Sequence, residues 1–479
     1  MTGSNPPIDH RIVARIERLP LSRWHLRIGL IVGTGFFFDA FDAMAIAYTL
    51  PVLVGQWHLA PSQIGFVISI GFAGQLVGSI FFGWLAEKIG RVPCAIYALF
   101  IFSVMSLACA FAWNLPSMAA MRFAQGLGLG GEIPVLATYI SELASAKRRG
   151  RFAIGYQSTF AIGLPVTAFI GAFVVPNLGW QWMFVIGGVP ALLVLPFSRW
   201  LPESPRWLAN HGRADEANRV LTRIETAISR NGATPLPPVT IGAPAQQPAA
   251  TYFGDLFRGI YLKRTLTVWT LWFCTYVITF GLLTWAPTMW RTVYRLSVQQ
   301  ALTYTSILSL IVAPGFLVTI LLVDWIGRRR LFMAGLFFGA VPFLFLAWRP
   351  DLSALAVMIL LGLAQFFIGM LALALSTYTA ELYPTELRAL GGGFGNAWLR
   401  IGSIAGPAFI GAILPIAGLK TVFVAFGLVA LLGGVVCLVF AVETCGKLLE
   451  HLSPSLDRRL EPRFAVSDST VQAPEGGAR

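Results

Sequence analysis

The chain has 479 residues, of which 56% are hydrophobic and only 12% are charged. Soluble domains carry about 25% charged residues, so this composition cannot supply the polar exterior that a water-soluble protein of this length requires. The formal net charge is +13, but the distribution of the basic residues among the loops, described below, is not typical of nucleic-acid binding. The composition excludes an ordinary soluble domain and indicates a protein surrounded by lipid.

The apolar residues form twelve successive runs along the chain, which predict an all-α membrane protein. Each run has about 20 residues, enough for a helix to cross a hydrocarbon core of roughly 30 Å. The first run is too long and too polar internally for a cleaved signal peptide, so we interpret it as a retained helix. The predicted spans are 26–52, 62–85, 94–113, 117–141, 152–175, 181–201, 265–290, 299–323, 331–348, 353–378, 391–415 and 419–441.

A polar stretch at 202–264 separates six of these spans from the other six. Its first part, through Arg230, is amphipathic and predicts a helix, whereas 234–250 is rich in Pro, Ala and Gln and predicts a flexible linker. The predicted organisation is an N-terminal segment 1–25, a first six-helix bundle 26–201, a central loop 202–264, a second six-helix bundle 265–441 and a tail 442–479.

The basic residues lie mostly on one side of the predicted membrane. Counted by loop, 29 of the 35 lysines and arginines fall on the side that holds both termini. The exceptions are Arg291, Arg295, Arg349 and Lys420 in loops of the other side, and Arg122 and Arg400 within spans. Because cytoplasmic loops carry an excess of Lys and Arg, this asymmetry predicts that both termini are cytoplasmic.

The sequence lacks the patterns typical of an enzyme, a metal centre or an ATP-driven pump. The five cysteines show no paired spacing, so neither a disulfide framework nor a metal site is indicated. No phosphate-binding loop of the Walker type and no cluster of a nucleophile with a base occur. We therefore expect no catalytic site and no cofactor.

The two halves of the chain repeat each other. The motif Glu87–Arg91, after the second span, recurs as Asp324–Arg328 after the eighth, 237 positions later. Phe169–Ala172 recurs as Phe409–Ala412, 240 positions later. A third repeat, at an offset of 239, relates Tyr139, Glu142 and Arg149 to Tyr378, Glu381 and Arg388. Repeated halves are what alternating access requires, since two similar bundles then rock about a site at their interface.

The charged residues of these repeats predict latches at the helix ends. We expect them to form charge relays that hold one bundle against the other. Exposed pairs contribute little singly, so such latches would bias two conformations by small increments. The residues are Glu87, Arg91, Glu142 and Arg149 in the first half and Asp324, Arg328, Glu381 and Arg388 in the second.

Three motifs resemble those of the major facilitator superfamily. Gly83–Arg91 is similar to the family's loop signature between the second and third helices, with Glu87 where Asp is commoner. Arg122–Gly130 resembles the fourth-helix signature, and Pro202–Trp207 is similar to a motif of the sugar-porter and organic-ion branches. The resemblance covers about 25–445 and implies twelve helices in two pseudo-symmetric six-helix bundles.

Shorter stretches resemble a narrower group. Phe38–Asp42, Gly130–Val135 and Arg400–Gly402 look like bacterial metabolite:proton symporters, in particular the nicotinate (niacin) transporters, with aromatic-acid:proton symporters nearby. This resemblance implies a multi-pass protein of the bacterial inner membrane that moves a small organic acid together with protons. The expected partners are the organic acid, protons and lipid, with no nucleic acid, and we expect a monomer.

Ionisable residues within the spans are candidates for proton coupling, because each costs about 2.5–3.5 kcal/mol on insertion scales. Asp39 and Asp42 are three residues apart and share one face of the first helix. Two adjacent carboxylates do not both ionise cheaply there, which suits a proton carrier; alternatively, one caps a kink or pairs with an arginine. The resemblance implies that Glu132 faces the first helix, as a second proton site or a structural hydrogen-bonded acid. Arg122 is a further candidate for proton coupling. It lies about 15 Å along its helix from Glu132 and therefore cannot pair with it.

Arg400 is the strongest indication of the substrate. It lies about nine residues into the eleventh span, which contains no acidic residue. A planar, permanently charged guanidinium suits a two-point grip on a carboxylate. The resemblance agrees, since relatives that handle organic anions carry an arginine on this helix. The alternative is an ion pair between the bundles with Asp39, Asp42 or Glu132.

The seventh span is rich in aromatic residues, some of which we expect at the membrane interface. Tyr276, Phe280 and Trp285 are predicted to form a cavity wall that stacks a flat ring. Polar residues expected to hydrogen-bond substrate atoms are Gln365 in the tenth span, Tyr156 and Gln157 in the fifth, and Asn396 in the eleventh.

The residues and the resemblance together predict a proton-coupled symporter that imports a small organic acid, nicotinate or a related aromatic carboxylate. A sugar or polyol porter and a drug:proton antiporter are alternatives with the same fold, although the aromatic seventh span counts against sugar. A transporter-like nutrient sensor is a third alternative, and a long cytoplasmic signalling extension is typical of that class. The tail here has only about 35 residues.

Overall fold

The computed structural model describes residues 10–145, 149–193, 199–231, 236–239 and 252–446, and every regular element in these ranges is helical. Most of the predicted linker and the tail beyond 446 lie outside the described residues. The first half contains α1 His10–Glu17, α2 Arg23–Trp57, α3 Pro61–Ile89, α4 Arg91–Cys109, α5 Leu115–Leu143, α6 Arg149–Leu178 and α7 Gln181–Gly187. The central stretch contains α8 Pro205–Asn210 and α9 Ala214–Asn231. The second half contains α10 Ile260–Thr292, α11 Val298–Ile326, α12 Arg328–Trp348, α13 Ala354–Leu382 and α14 Thr385–Phe440.

These helices account for the twelve predicted spans. Eight helices in the described ranges are long and apolar enough to cross a membrane by length and composition. One of them, α14, contains two spans, because Gly418 has φ 72° and ψ 177° and interrupts the helix between 391–415 and 419–441. The helices α5 and α11, each 29 residues long, and the segment that begins with α7 supply the remaining three spans.

The sixth predicted span, 181–201, differs from the prediction in its described part. The helix α7 ends at Gly187 and is followed by a 3-10 turn at Val189–Leu193. The turn contains Pro190, which has no backbone N–H and so removes one hydrogen bond from the ladder that an α-helix would need here. Residues 194–198 lie outside the described ranges.

Small residues allow the helices of each half to approach closely. A Cβ atom placed on Gly130 would lie 2.5 Å from the Cα of Gln75, so α5 and α3 cross at backbone contact distance. In the second half, a Cβ atom on Gly406 would lie 3.0 Å from the Cα of Gly281, which brings α14 equally close to α10. Close approach of this kind depends on glycine and fixes the rotation of each helix within its half.

Three short helices, α1, α8 and α9, form a layer on one side of the first half, which we call the terminal side; the opposite side is the far side. The helix α9 occupies the stretch predicted to be amphipathic. Arg15 of α1 and Arg18, the residue just after this helix, each lie 2.7 Å from Glu225 of α9. The layer buries the apolar side chains Ile12, Ile16, Leu221 and Ile224.

Candidate functional site between the two halves

A buried ion pair joins α2 to α5. The Nη1 atom of Arg122 lies 2.6 Å from Oδ1 of Asp42, and both side chains are 3% exposed. Gln125 donates from Nε2 to the same Asp42 oxygen at 2.7 Å and accepts from Arg122 at 2.7 Å. Gly71 leaves room for the guanidinium, since a Cβ atom there would lie 2.9 Å from Nη2. The sequence left open whether the aspartates carry protons or whether one of them pairs with an arginine. Asp42 is the aspartate that pairs with an arginine.

Asp39 and Glu132 are buried without such partners. Asp39 forms no ion pair within 4 Å among the described residues, and Arg400 and Asp42 are its charged neighbours. Neither carboxyl oxygen of Glu132 has a hydrogen-bond partner in the described part of the chain. Glu132 packs over Gly35 and has Asp39 as its electrostatic neighbour, which agrees with the expected position facing α2. A carboxyl group buried as that of Glu132 is, with no cation among its charged neighbours, is stable as the neutral acid, because an isolated buried carboxylate is far costlier.

Arg400, in the first part of α14, is buried against the first half. Its side chain is 8% exposed, and its Nη1 atom donates to Oε1 of Gln75 on α3. No carboxylate among the described residues lies within 4 Å of the guanidinium, although Asp39 interacts with it electrostatically. The direct ion pair that the sequence left open as an alternative is therefore not formed. A guanidinium paired with a neutral amide keeps its charge available for an anionic ligand.

A stack of aromatic rings on α10 stands beside this guanidinium. The ring centroids of Trp272 and Tyr276 are 5.5 Å apart, and those of Tyr276 and Phe280 are 5.8 Å apart, with interplanar angles of 13° and 21°. Phe72 of α3 meets Phe280 edge-on at 4.9 Å. Tyr276 also interacts electrostatically with Arg400. Tyr276 and Phe280 thus form a continuous aromatic surface near Arg400, and their role as a wall that stacks a substrate ring stays a prediction.

Trp285, the third aromatic residue expected in that wall, joins two helices of the second half. It is 2% exposed, and its Nε1 atom donates to the carbonyl of Pro407 at 3.1 Å, so it fastens α10 to α14. Its only polar atom is thus bonded within the second half, and its expected place in a cavity wall stays a prediction. Gln365 of α13 donates to the carbonyl of Thr279 at 3.2 Å and leaves its Oε1 atom buried without a partner in the described ranges.

The remaining polar candidates lie on α6 and α14. Tyr156 is buried and meets Phe36 at 4.9 Å between ring centroids. The side chain of Gln157 lies outside the described residues. Asn396 precedes Arg400 by one helical turn, on the terminal side of it, and is exposed.

The two halves meet along a seam between α3 and α14 on the far side. The hydroxyl of Ser69 donates to the carbonyl of Ile404 at 2.8 Å. A Cβ atom on Gly65 would lie 2.7 Å from an α14 carbonyl oxygen. The bond between Gln75 and Arg400 lies at the inner end of this seam.

A second far-side seam joins α6 to α11, where the hydroxyl of Ser306 donates to the carbonyl of Ala168 at 2.9 Å. These contacts lie in the parts of the helices remote from α1 and α9. The halves are thus closed toward the far side, whereas the exposed Asn396 lies toward the terminal side.

On the terminal side, the charged motif of the first half closes on itself. Arg91 lies 2.9 Å from Glu87 and 3.0 Å from Glu142. Glu203, just after the sixth span, accepts hydrogen bonds from the backbone N–H of Arg91 at 3.0 Å and of the next residue at 3.2 Å, and so caps α4. Burial raises the pKa of Glu203, against the opposing effect of these N–H groups. The side chain of Arg149 lies outside the described residues.

The second half repeats this arrangement. Arg328 lies 2.8 Å from Asp324 and 3.1 Å from Glu381. Glu443 accepts from the backbone N–H of Arg328 at 2.9 Å and caps α12, as Glu203 caps α4. Arg388 donates to a carbonyl of its own half at 2.9 Å.

Among the described residues, the ion pairs of Arg91 and Arg328 do not latch one bundle to the other in this conformation, and a gating role for the eight residues stays a prediction. The guanidinium groups of Arg91 and Arg328 find their acids within their own halves, because the helix ends that supply these acids are neighbours there. Sequence analysis also missed the two capping acids, although their positions, 203 and 443, differ by 240 and match the internal repeat.

Comparison with known proteins places these features in a family. The family described as "Sugar (and other) transporter" matches residues 33–456. The niacin transporter NiaP of Acinetobacter baylyi is 36% identical over 443 residues, covering 92% of this chain and 99% of that protein. The 4-hydroxybenzoate transporter PcaK of the same organism is 28% identical, covering 84% and 87%. The gallate transporter of Pseudomonas putida is 28% identical, covering 89% and 94%.

Solved structures show the same architecture. The xylose transporter XylE from E. coli, in a partially occluded inward open conformation, has a TM-score of 0.70 and 21% sequence identity, covering 89% of this chain and 100% of that chain. Its inward open conformation has a TM-score of 0.70 and 19% identity. At this identity the likeness shows the fold, which is twelve helices in two pseudo-symmetric six-helix bundles.

Proposed function

The chain belongs to the sugar (and other) transporter family of the major facilitator superfamily, and on that premise we propose that it is a proton-coupled symporter that imports nicotinate or a related aromatic carboxylate. The proposal rests on one observation above all, the buried guanidinium of Arg400, whose hydrogen-bond partner is a neutral amide. Niacin, 4-hydroxybenzoate and gallate, the compounds in the names of the relatives, are aromatic rings that bear one carboxyl group.

In the proposed complex, Arg400 binds the carboxylate through two parallel N–H···O bonds, which are charge-assisted and roughly twice as strong as neutral ones. The stack on α10 supplies a flat apolar face for the ring, and an aromatic contact of this kind contributes about 0.5–1.5 kcal/mol beyond its burial. Asn396 and the unbonded Oε1 of Gln365 supply polar contacts at the edges of the ring.

The proton is carried, in this proposal, by Asp39 and Glu132. Asp42 is held by Arg122 and Gln125 and is the least free of the three acids. Arg400 stabilises the charge of Asp39 until a carboxylate ligand neutralises the guanidinium. Asp39 then lies beside an anion and takes up a proton, and Glu132 is the neighbouring acid that can donate or store it. Anion and proton therefore enter the site together.

We assign the terminal side to the cytoplasm of a bacterial inner membrane, since that side carries most of the lysines and arginines. The conformation described here is then closed to the outside and accessible from the cytoplasm, which is the state from which an importer releases its substrate. We propose that the monomer, with one site between its two bundles, is the transporting unit.

The alternatives fit the site less well. The likeness to a xylose transporter shows the fold alone, and the stack beside Arg400 offers a sugar few hydrogen-bonding groups. A cationic drug would be repelled by the buried guanidinium. An aromatic carboxylate satisfies both the charge and the ring stack.

The proposal is tested with purified protein in liposomes and radiolabelled nicotinate. An outside-acidic pH gradient should drive accumulation above the external concentration, and a protonophore should abolish it. Arg400→Gln should show neither accumulation nor exchange. Binding without any uptake would indicate a sensor, and accumulation that is indifferent to the pH gradient would contradict proton coupling.

A further inference from the structure

The hydrogen bond between Gln75 and Arg400 joins the two bundles at the proposed substrate site. We propose that Gln75 is the competitor of the substrate carboxylate for Arg400, so that closing the far side presents Gln75 to the guanidinium and releases the substrate toward the terminal side. This inference rests on the proposed carboxylate grip of Arg400. It assigns to Gln75 a positioning role that determines both release and the preference for anions.

Gln75 is mounted rigidly on the first bundle. Its side chain is 1% exposed. A Cβ atom on Gly130 would lie 2.5 Å from the Gln75 Cα, and one on Gly126 would lie 3.0 Å from the Gln75 nitrogen. The glycines of α5 thus hold the backbone of this residue, and Gln75 must move with the first bundle as a unit.

Arg400 is mounted with equal rigidity on the second bundle. A Cβ atom on Gly402 would lie 3.0 Å from the carbonyl oxygen of Phe273 and 3.0 Å from the nitrogen of Val277, both on α10. The helix that carries the guanidinium is therefore packed backbone to backbone against its neighbour in the same bundle. Neither partner can follow the other, so the bond forms only when the two bundles meet on the far side.

The bond between Gln75 and Arg400 lies at the inner end of the seam between α3 and α14. Outward from it, Ser69 bonds Ile404 and Gly65 packs on the α14 backbone, so the contacts follow one another from the centre toward the far side. Opening the far side must separate all of them. Separation frees the Arg400 guanidinium for a carboxylate that arrives from outside.

The competition follows from the chemistry of the two acceptors. Gln75 offers Arg400 one neutral carbonyl oxygen, whereas a carboxylate offers two oxygens that share a negative charge and can bond in the bidentate mode. Substrate binding and far-side closure therefore oppose each other, and by linkage each weakens the other by the same factor. A neutral ligand gains little over the amide that it would replace, so the same residue disfavours uncharged analogues.

Two substitutions change the competition in opposite directions. Gln75→Glu supplies a permanent carboxylate to Arg400, so nicotinate binding should weaken by at least ~10-fold, because an ion pair replaces a hydrogen bond to a neutral acceptor. Gln75→Met keeps the length of the side chain but removes the acceptor, so binding should tighten by several-fold and release should slow. Gln299→Glu, the same chemical change at an exposed position of α11, is the matched control.

The experiment combines calorimetry of nicotinate binding with a distance measurement across the far side. Spin labels at Ser62→Cys and Lys420→Cys, both exposed, are introduced into a Cys445→Ser background, since the other four cysteines are buried. Pulsed electron resonance should show a short distance for Gln75→Glu with or without nicotinate. Gln75→Met should show a larger long-distance population without ligand, and nicotinate should increase that population in the wild type.

The outcomes are distinguishable. If both Gln75 variants bind nicotinate within twofold of the wild type and leave the distance distribution unchanged, the competition is overturned while the proposed function stands. If the wild type binds no carboxylate, the proposed function fails and the competition fails with it. The Met variant keeps the test decisive should the Glu variant not fold.

Discussion

The buried pair of Asp42 and Arg122 allows a quantitative test of how the first bundle is held together. Both side chains are 3% exposed and 2.6 Å apart, so neither charge can be hydrated if the other is removed. Removing one partner of a buried pair costs about 3–5 kcal/mol, because the remaining charge is left uncompensated. We expect Arg122→Gln and Asp42→Asn each to lower the free energy of unfolding by about this amount.

The double variant should be much less impaired than the sum. Asn at 42 and Gln at 122 are both neutral, and Gln125 can still bond each of them. The coupling between the two substitutions should therefore reach about 2–3 kcal/mol.

Unfolding of the four proteins in mixed micelles of dodecyl maltoside and sodium dodecyl sulfate, followed by tryptophan fluorescence, gives the required free energies. The exposed pair Arg213 and Glu216 on the terminal side serves as the control cycle, and it should show no measurable coupling. Additive losses at 42 and 122, within about 0.5 kcal/mol, would refute the interpretation of this pair as a dry, mutually neutralising contact.

Three further results are expected. Glu132→Gln keeps the shape of a neutral acid, so it should preserve stability and nicotinate exchange but abolish accumulation driven by a pH gradient in liposomes. Gradient-driven accumulation in this variant would show that Glu132 takes no part in proton transfer. Burial raises the pKa of Glu225, but Arg15 of α1 and the adjacent Arg18 lower it by more, so the pKa is lowered overall; the two ion pairs therefore stabilise the docking of α1 at pH values above the ordinary glutamate pKa and lose that contribution as the pH falls through the lowered value. Glu225→Gln should make α1 more susceptible to trypsin at neutral pH, whereas Glu216→Gln should not, and equal cleavage of both would exclude a docking role. Gly130→Ala places a methyl group in the α3 backbone and should cost about 1–3 kcal/mol in the same micelle titration; an unchanged midpoint would mean that the crossing is looser than described.

The spans and the repeat could be predicted because both depend on local sequence. Twelve apolar runs of sufficient length predict twelve helices whatever their neighbours, and the offset of 237 between Glu87 and Asp324 relates two loops without knowledge of the fold. The break between the last two spans coincides with Gly418, a residue type that tolerates positive φ. The interruption after Gly187 was missed, since an apolar run does not show where a helix ends within it.

Partners across the interior could not be predicted, because a single sequence does not give the rotation of each helix. Asp42 and Arg122 are 80 positions apart, and Gln75 and Arg400 are 325 apart. Gln75 was not singled out at all, although an amide in an apolar span needs a partner and is a usable signal. The partners of Arg91 could not be predicted for the same reason: the spacing of Glu87 and Arg91 shows a local pair, but not that Glu142 of the same half completes it.

The role of Arg400 as the receptor of the substrate carboxylate is tested most directly by comparing the binding of nicotinate with that of nicotinamide. Nicotinamide has the same ring and a neutral amide in place of the carboxylate. Calorimetry on the wild type should show strong preference for nicotinate. Arg400→Gln should lose that preference by weakening nicotinate alone, while binding of nicotinamide changes little. A full preference for nicotinate in Arg400→Gln would contradict the account and require a different cation in the site.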